Sequence, residues 1–245
     1  MKLSIVIPAY NEEGSIALTI ENLSNALVSK NIDHEILVID DNSTDDTKAV
    51  LNELTKKYTS LKYETNTGPN GFGYATRYGL ERYQGDCVAI MMADLSDSPT
   101  DLINFYYTMI RGNYDCVFGS RFIKGGMTND YPLLKKIINR IANFIVMVIM
   151  NIRYNDTTNA FKLYKRQTID GIKPFISPHF NLTIELPLKS IIRGYTYAIV
   201  PNSWQNRKTG ISKLRIREMG SRYLFILIYC FIEKYLSRGD FKKKW

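Results

Sequence analysis

Three cysteines in 245 residues are too few and too scattered for a disulfide framework. Cys87, Cys116 and Cys230 share no Cys-x-x-Cys or Cys/His spacing, which excludes a thiolate metal site as well. Cys87 and Cys116 sit in apolar runs where buried, inert thiols are expected, and a reducing, cytoplasmic setting follows. Long hydrophobic runs are also missing. The longest, Tyr223–Ile232, has ten residues, whereas a helix needs about 20 to cross a bilayer. Leu3–Ile7 gives way at once to Asn11-Glu12-Glu13, so no secretory leader is expected. Internal repeats and low-complexity tracts are absent.

The remaining composition is that of a globular chain, 45% hydrophobic and 23% charged, enough to fill a sizeable core. The net charge of +8 is unevenly spread. Residues 205–245 carry 11 Lys/Arg against 3 Asp/Glu, and the signs balance over the rest of the chain. Such an end favours anionic partners. Nucleic acid is not expected among them, because no recognition helix or aromatic RNA platform is evident. A membrane surface fits better. Tyr223–Leu236 is apolar and aromatic, and it lies between Arg215, Arg217, Arg222 and Lys234, Arg238, Lys242–Lys244. Basic residues flanking an apolar helix suit an anionic bilayer surface. Leu133–Met150 adds a second apolar helix, which reads equally as core or as one wall of a lipid groove. A homo-oligomer interface is the other use for such faces.

Strand and helix alternate through the first half. Leu3–Pro8, Glu35–Asp40, Leu61–Thr65, Asp86–Met92 and Asp115–Ser120 read as strands, the longer ones continuous apolar runs. Glu13–Lys30, Asp45–Tyr58, Tyr74–Tyr83 and Pro99–Arg111 read as helices. Single helices between strands imply an α/β fold with a mostly parallel sheet, whose ligands bind beyond the carboxyl ends of the strands. Tyr10-Asn11-Glu12, Asp40-Asp41-Asn42, Gly71-Phe72-Gly73 and Asp94 all fall at those ends. The second half reads as a loop and strand over Asp156–Tyr164, a helix over Thr183–Arg193, a strand over Tyr197–Pro201, a basic loop over Arg207–Lys213 and a final helix over Glu218–Leu236. The expected division is a domain over 1–215 and a basic, apolar, amphipathic helical extension over 216–245.

Val6-Ile7-Pro8-Ala9-Tyr10-Asn11-Glu12-Glu13 followed by Val38-Ile39-Asp40-Asp41-Asn42-Ser43-Thr44-Asp45 resembles the family 2 inverting glycosyltransferases of the GT-A fold. The likeness is strongest to the dolichol-phosphate mannosyltransferase and polyprenyl-phosphate sugar transferase branch. It extends through Gly119-Ser120-Arg121, Tyr131-Pro132-Leu133, Asp156–Phe161 and Arg207–Lys213. The resemblance implies a nucleotide-sugar pocket lined by Pro8, Tyr10, Glu12, Val38, Asp40 and Ala93. Physically, Pro8 would end the first strand, Tyr10 would offer an aromatic face, and Glu12 and Asp40 would accept from ribose or base. Asp40 through Ser43 would also serve as a plain helix cap.

The family's Asp-x-Asp, which holds a divalent ion on the pyrophosphate, is here Met92-Ala93-Asp94. A thioether is a poor ligand for Mg²⁺ or Mn²⁺, so Asp94, with Ser96 two residues on, is the expected metal site, with weaker metal dependence. Arg207 and Lys213 match the family's phosphate-binding cations, and Arg121 and Lys135 are further candidates by position. A polyprenyl phosphate acceptor arrives ionised and needs no base. A saccharide hydroxyl would need one, and Glu185 is the candidate. A non-catalytic nucleotide-sugar-binding protein is the alternative of another class, motivated by Met92.

Overall fold

The computed structural model describes residues 1–206 and 216–243, of which 216–219 are described as backbone only. The expectations for Arg207, Lys213 and the basic loop between them fall outside the described residues.

Nine strands and eight helices are described. The first half contains β1 (Leu3–Ala9), α1 (Ile16–Ser29), β2 (His34–Asp40), α2 (Thr47–Lys57), β3 (Leu61–Thr65), α3 (Phe72–Leu80), β4 (Cys87–Ile90), α4 (Pro99–Gly112) and β5 (Cys116–Ser120). The second contains β6 (Met127–Asn129), α5 (Leu133–Met150), β7 (Lys162–Lys165), α6 (Arg166–Gly171), α7 (Leu182–Ile192), β8 (Tyr197–Pro201), β9 (Ser203–Gln205) and α8 (Ile216–Leu236).

Seven strands form one sheet in the order β3-β2-β1-β4-β7-β5-β8. All neighbours are parallel except β7, which runs antiparallel to both β4 and β5. β6 and β9 make a separate two-stranded parallel pair. The central strands are apolar on both faces because helices cover both. Along β1, Leu3, Ile5 and Ile7 face one core cluster while Val6 faces the other. The first cluster is closed by α1, α2 and α4, through residues such as Ile20, Leu51 and Phe105. The second is closed by α3, α6 and α7, through Ala75, Ile169 and Leu186.

A third, smaller cluster joins α5, α7 and α8 through Val146, Met150, Ile184, Leu188, Ile226, Leu227 and Cys230. Arg193 beyond α7 clamps Glu233 of α8 with two bonds of 2.6 and 2.9 Å, both side chains buried. The expected C-terminal extension is thus tied to the rest of the chain by one packed face. Among the described residues no helix is long and apolar enough to cross a membrane.

Candidate functional site

Ala9 and Asp40 are paired in register at the carboxyl ends of β1 and β2, and β4 lies on the other side of β1. The loops leaving these strands lock each other. The Asn11 amide N–H donates to Ser43 Oγ at 3.0 Å, and Thr44 N–H donates to Asn11 Oδ1 at 2.8 Å. Glu12 N–H donates to Thr47 Oγ1 at 2.8 Å, and Asp46 N–H to Glu13 Oε2 at 2.8 Å. Asn11 and Asn42 take left-handed backbone conformations, φ 53° and 62°, which asparagine tolerates. Asp41 accepts from Gly71 N–H at 2.7 Å and from Asn66 Nδ2 at 2.8 Å, so it fastens the segment before α3.

Of the six residues expected to line a nucleotide pocket, three present polar or aromatic groups at this edge. Tyr10 is exposed. Glu12 accepts from Ser15 Oγ at 3.0 Å. Asp40 is fully buried, with Oδ1 accepting Ser43 N–H at 3.1 Å and Oδ2 lying 3.4 Å from Lys48 Nζ. The other three are placed differently from the expectation. Val38 and Ala93 are core side chains. Pro8 does not end its strand; it is buried within β1 opposite Ile39. The alternation of side chains across the sheet turns these apolar members of the motif inward. Gly71 and Gly73 serve close packing: a Cβ on Gly73 would lie 2.5 Å from the backbone of Pro178, and one on Gly71 2.7 Å from the His179 ring. Phe72 between them stacks on Phe180 with ring centroids 4.5 Å apart.

Beyond β4 and β5 lies a cavity of about 330 Å³. It brings together four of the expected site residues, Asp94, Ser96, Arg121 and Lys135, with Met92 and Asp97 beside them. The chain reverses at Leu95, which has φ +63°, a conformation a leucine holds at a cost of order 1–3 kcal/mol. That turn lets Asp94 Oδ1 accept Ser96 N–H at 3.1 Å and swings Asp97 back, so that its Oδ2 accepts Met92 N–H at 3.0 Å. A carboxylate therefore returns beside the position where Met92 removes one. Burial, with Asp94 nearby adding to it, pushes the Asp97 carboxyl up to about 7 against the opposing Met92 N–H. Ser96 Oγ is buried and has no hydrogen-bond partner among the described residues.

Arg121 meets Asp156 in a bidentate pair, Nε–Oδ2 2.8 Å and Nη2–Oδ1 2.7 Å. Burial opposes the guanidinium charge, but the Asp156 carboxylate holds it firmly protonated. Asp156 also accepts Arg121 N–H at 2.9 Å, which fixes the end of β5 to the loop before β7. Lys162 anchors the same loop from behind: its buried ammonium donates to the carbonyls of Thr157, Asn159 and Thr183.

Glu185 is not brought to the cavity. It is fully buried in α7, 2.6 Å from Lys189, and accepts the N–H groups of Ile176 and Ser177 at 2.9 and 2.8 Å. Its acceptor capacity holds the segment before α7 in place, and this removes it as a general base. Asp101 likewise sits in α4, where it accepts from the N–H and hydroxyl of Ser203.

Of the remaining walls, Tyr131 and Thr158 lay in segments matched by resemblance and α5 and α8 were read as apolar helices, whereas Trp204 had no signal. β9 brings Trp204, whose ring lies 4.9 Å from that of Tyr131 and whose backbone bridges to Asp97. α5 contributes Ile138, Asn139 and Ala142, α8 contributes Tyr223, and Thr158 closes the side formed by the loop before β7.

Residues 4–173 match the family described as Glycosyl transferase family 2. A dolichol-phosphate mannosyltransferase of Pyrococcus furiosus is 30% identical over 219 residues, 88% of this chain and 60% of that protein. This chain therefore spans about 60% of that relative's length. A polyprenol monophosphomannose synthase of Mycolicibacterium smegmatis is 26% identical over 86% of this chain and 80% of its own. Among solved structures, glucosyl-3-phosphoglycerate synthase of Mycobacterium tuberculosis, in complex with Mn²⁺, UDP-glucose and phosphoglyceric acid, superposes with a TM-score of 0.73. At 19% identity over 94% of this chain and 79% of that one, it shows a shared fold. The match over residues 4–173 places this chain in glycosyl transferase family 2, and the strand order agrees with the GT-A fold.

Proposed function

We propose that this enzyme moves a sugar from a nucleotide-sugar donor to a polyprenyl phosphate at an anionic membrane surface, inverting the anomeric centre in a single in-line displacement. One observation carries the choice of acceptor. The charged floor of the cavity, with Asp94, Asp97, Arg121 and Lys135, is walled by α5 and α8, whose outer faces expose Ile137, Ile141, Phe144, Leu224, Phe225 and Ile228. A ligand with a phosphate head and an isoprenoid tail meets both environments at once. The names of the two curated relatives point the same way.

The donor's base and ribose belong at Tyr10, Glu12 and Asp40. Its diphosphate belongs at the cavity floor. Arg207 and Lys213, outside the described residues, keep the role implied by resemblance: cations for the charge that develops on the departing group. A phosphate acceptor is ionised near neutral pH and needs no base, consistent with the buried pairing of Glu185. The residues present fit a divalent cation. Asp94, Asp97 and the Ser96 hydroxyl, unpartnered among the described residues, are all hard oxygen donors, suited to Mg²⁺ or Mn²⁺ completed by water and phosphate oxygens. Such an ion would neutralise charge on the leaving diphosphate. Exposed apolar side chains of this size, bordered by Arg222, Lys234, Arg238 and Lys242, suit peripheral binding at the cytoplasmic face.

Incubation of the purified protein with labelled nucleotide sugars and a short polyprenyl phosphate tests the reading. Label is expected to enter the organic phase, and to stop doing so when a chelator is added. Hydrolysis of the donor or transfer only to saccharides would refute it.

A further inference from the structure

The loop before β7 carries Thr157 and Thr158, and α5 faces it with Asn139 and Asn143. Asn143 Nδ2 lies 2.9 Å from the backbone carbonyl of Asn139. A carbonyl only accepts, so that atom of Asn143 is the nitrogen. Asn143 Oδ1 faces the other way, where it accepts Thr157 Oγ1 at 2.8 Å and the Thr158 N–H at 3.4 Å. The Asn143 nitrogen also lies 2.9 Å from the side-chain oxygen of Asn139, which orients that amide in turn. Asn139 Nδ2 is then left to donate to Thr158 Oγ1 at 2.7 Å, and Asn143 Nδ2 approaches the same oxygen at 3.1 Å.

Thr158 Oγ1 is therefore surrounded on its protein side by two amide nitrogens, neither of which accepts. Among the described residues its own hydrogen has no acceptor there, and Thr158 lines the cavity. Lys135, one turn before Asn139 on α5, lines it too.

We infer that the Asn139–Asn143 pair holds Thr158 as an obligate hydrogen-bond donor to a phosphoryl oxygen bound in the cavity. Thr158 is the binding residue; Asn139 and Asn143 are positioning residues. An anion is the ligand such a donor suits, because the hydroxyl, polarised by the Asn139 amide that donates to it at 2.7 Å, donates more strongly than a free one. The inference rests on the reading that the cavity takes phosphoryl groups. That group belongs either to the acceptor monophosphate or to the donor diphosphate.

The test uses the full chain, with calorimetric affinities for uridine and guanosine diphosphates and transfer kinetics on a short polyprenyl phosphate. Thr158→Val keeps the shape and removes the hydroxyl. It is expected to weaken one of these ligands about tenfold or more, the size of a lost bond to a charged group, beside a modest fall in the thermal midpoint from the Asn139 amide that loses its acceptor. Thr158→Ser returns the hydroxyl and is expected to recover most of the loss. A raised KM for the polyprenyl phosphate with unchanged nucleotide affinity assigns the acceptor phosphate; weaker nucleoside diphosphate binding assigns the donor. Asn143→Asp replaces the donor by an acceptor, so the Thr158 hydrogen turns inward. That variant is expected to reproduce the Thr158→Val loss and to add nothing to it in the double variant. Thr158→Val with unchanged affinity for both ligands overturns the inference, whether or not Asn143→Asp folds. If the unaltered enzyme takes no polyprenyl phosphate, the acceptor reading fails, and the nucleoside diphosphate measurement still decides the role of Thr158.

Discussion

Helices α1 and α5 have the same period and opposite orientation. α1 buries Ile16, Ile20, Leu23 and Leu27 against the sheet and turns residues such as Glu21, Asn22 and Asn25 to solvent. α5 buries Asn143 with Val146 and Met150, and it leaves Leu133, Leu134, Ile141, Phe144 and Val148 more than half exposed. A helix in water puts its apolar stripe inward. One that puts amides inward and isoleucines outward is arranged for a site on its inner side and a non-aqueous neighbour on its outer side. Periodicity reports that a stripe exists; hydrogen bonding reports which side is the inside. The strand-end loops extend the lesson. After β1 and β2 the polar groups are largely spent on one another, whereas after β4 and β5 a serine hydroxyl and two carboxylates surround a cavity.

The sharpest test of this division between scaffold and site is the Glu185–Lys189 pair. Lys189→Met leaves a fully buried carboxylate uncompensated and is expected to cost about 3–5 kcal/mol in urea unfolding. Glu185→Gln also destabilises, but the fraction that stays folded keeps its turnover. Loss of turnover without loss of stability would return Glu185 to the chemistry. Asp94→Asn bears on the other side. Transfer is expected to fall about a hundredfold or more, a loss comparable to removing one element of charge stabilisation, while the thermal midpoint stays within a few degrees.

Ile141→Glu with Phe144→Glu probes the outer face of α5. Partitioning onto vesicles containing anionic lipid is expected to drop about tenfold, with no loss of folding stability because both side chains are exposed. Unchanged vesicle binding would assign that face to another partner. The smallest effect concerns Asp115, at the amino end of β5 and far from the cavity. Burial opposes its charge, but the Thr196 N–H and hydroxyl and the Lys243 ammonium hold its carboxyl below the ordinary 3.8. A depressed folded value contributes stability that is present above pH 3.8 and is lost as the pH falls through it. Acid unfolding of Asp115→Asn is expected to show a shallower pH dependence below about pH 4, by less than about 1 kcal/mol.

The first half of the fold was legible because each strand is a continuous apolar run and each helix carries a clear stripe. The antiparallel β7 was not, since Lys162–Lys165 contains no information about which strands it joins, and β6 and β9 are three residues each. Asp94, Ser96, Arg121 and Lys135 were found as a group because the motifs that carry them end on one sheet edge. Val38 and Ala93 turn their side chains into the core for the complementary reason: within a motif, alternate residues point inward. Glu185 reads as a helix-face carboxylate at i, i+4 from Lys189, and nothing local reveals that both are buried. Thr158 depended on a four-residue amide and hydroxyl network that closes only once α5 meets the loop before β7.

The most direct measurement is photo-crosslinking with a short polyprenyl phosphate that bears a diazirine on its first isoprene units, followed by peptide mapping. Adducts are predicted on Ile137, Ile138 and Ile141 of α5 and around Tyr223 of α8, competed away by unlabelled polyprenyl phosphate. Adducts confined to the loops after β1 and β2, or labelling that excess lipid phosphate does not displace, would contradict the account.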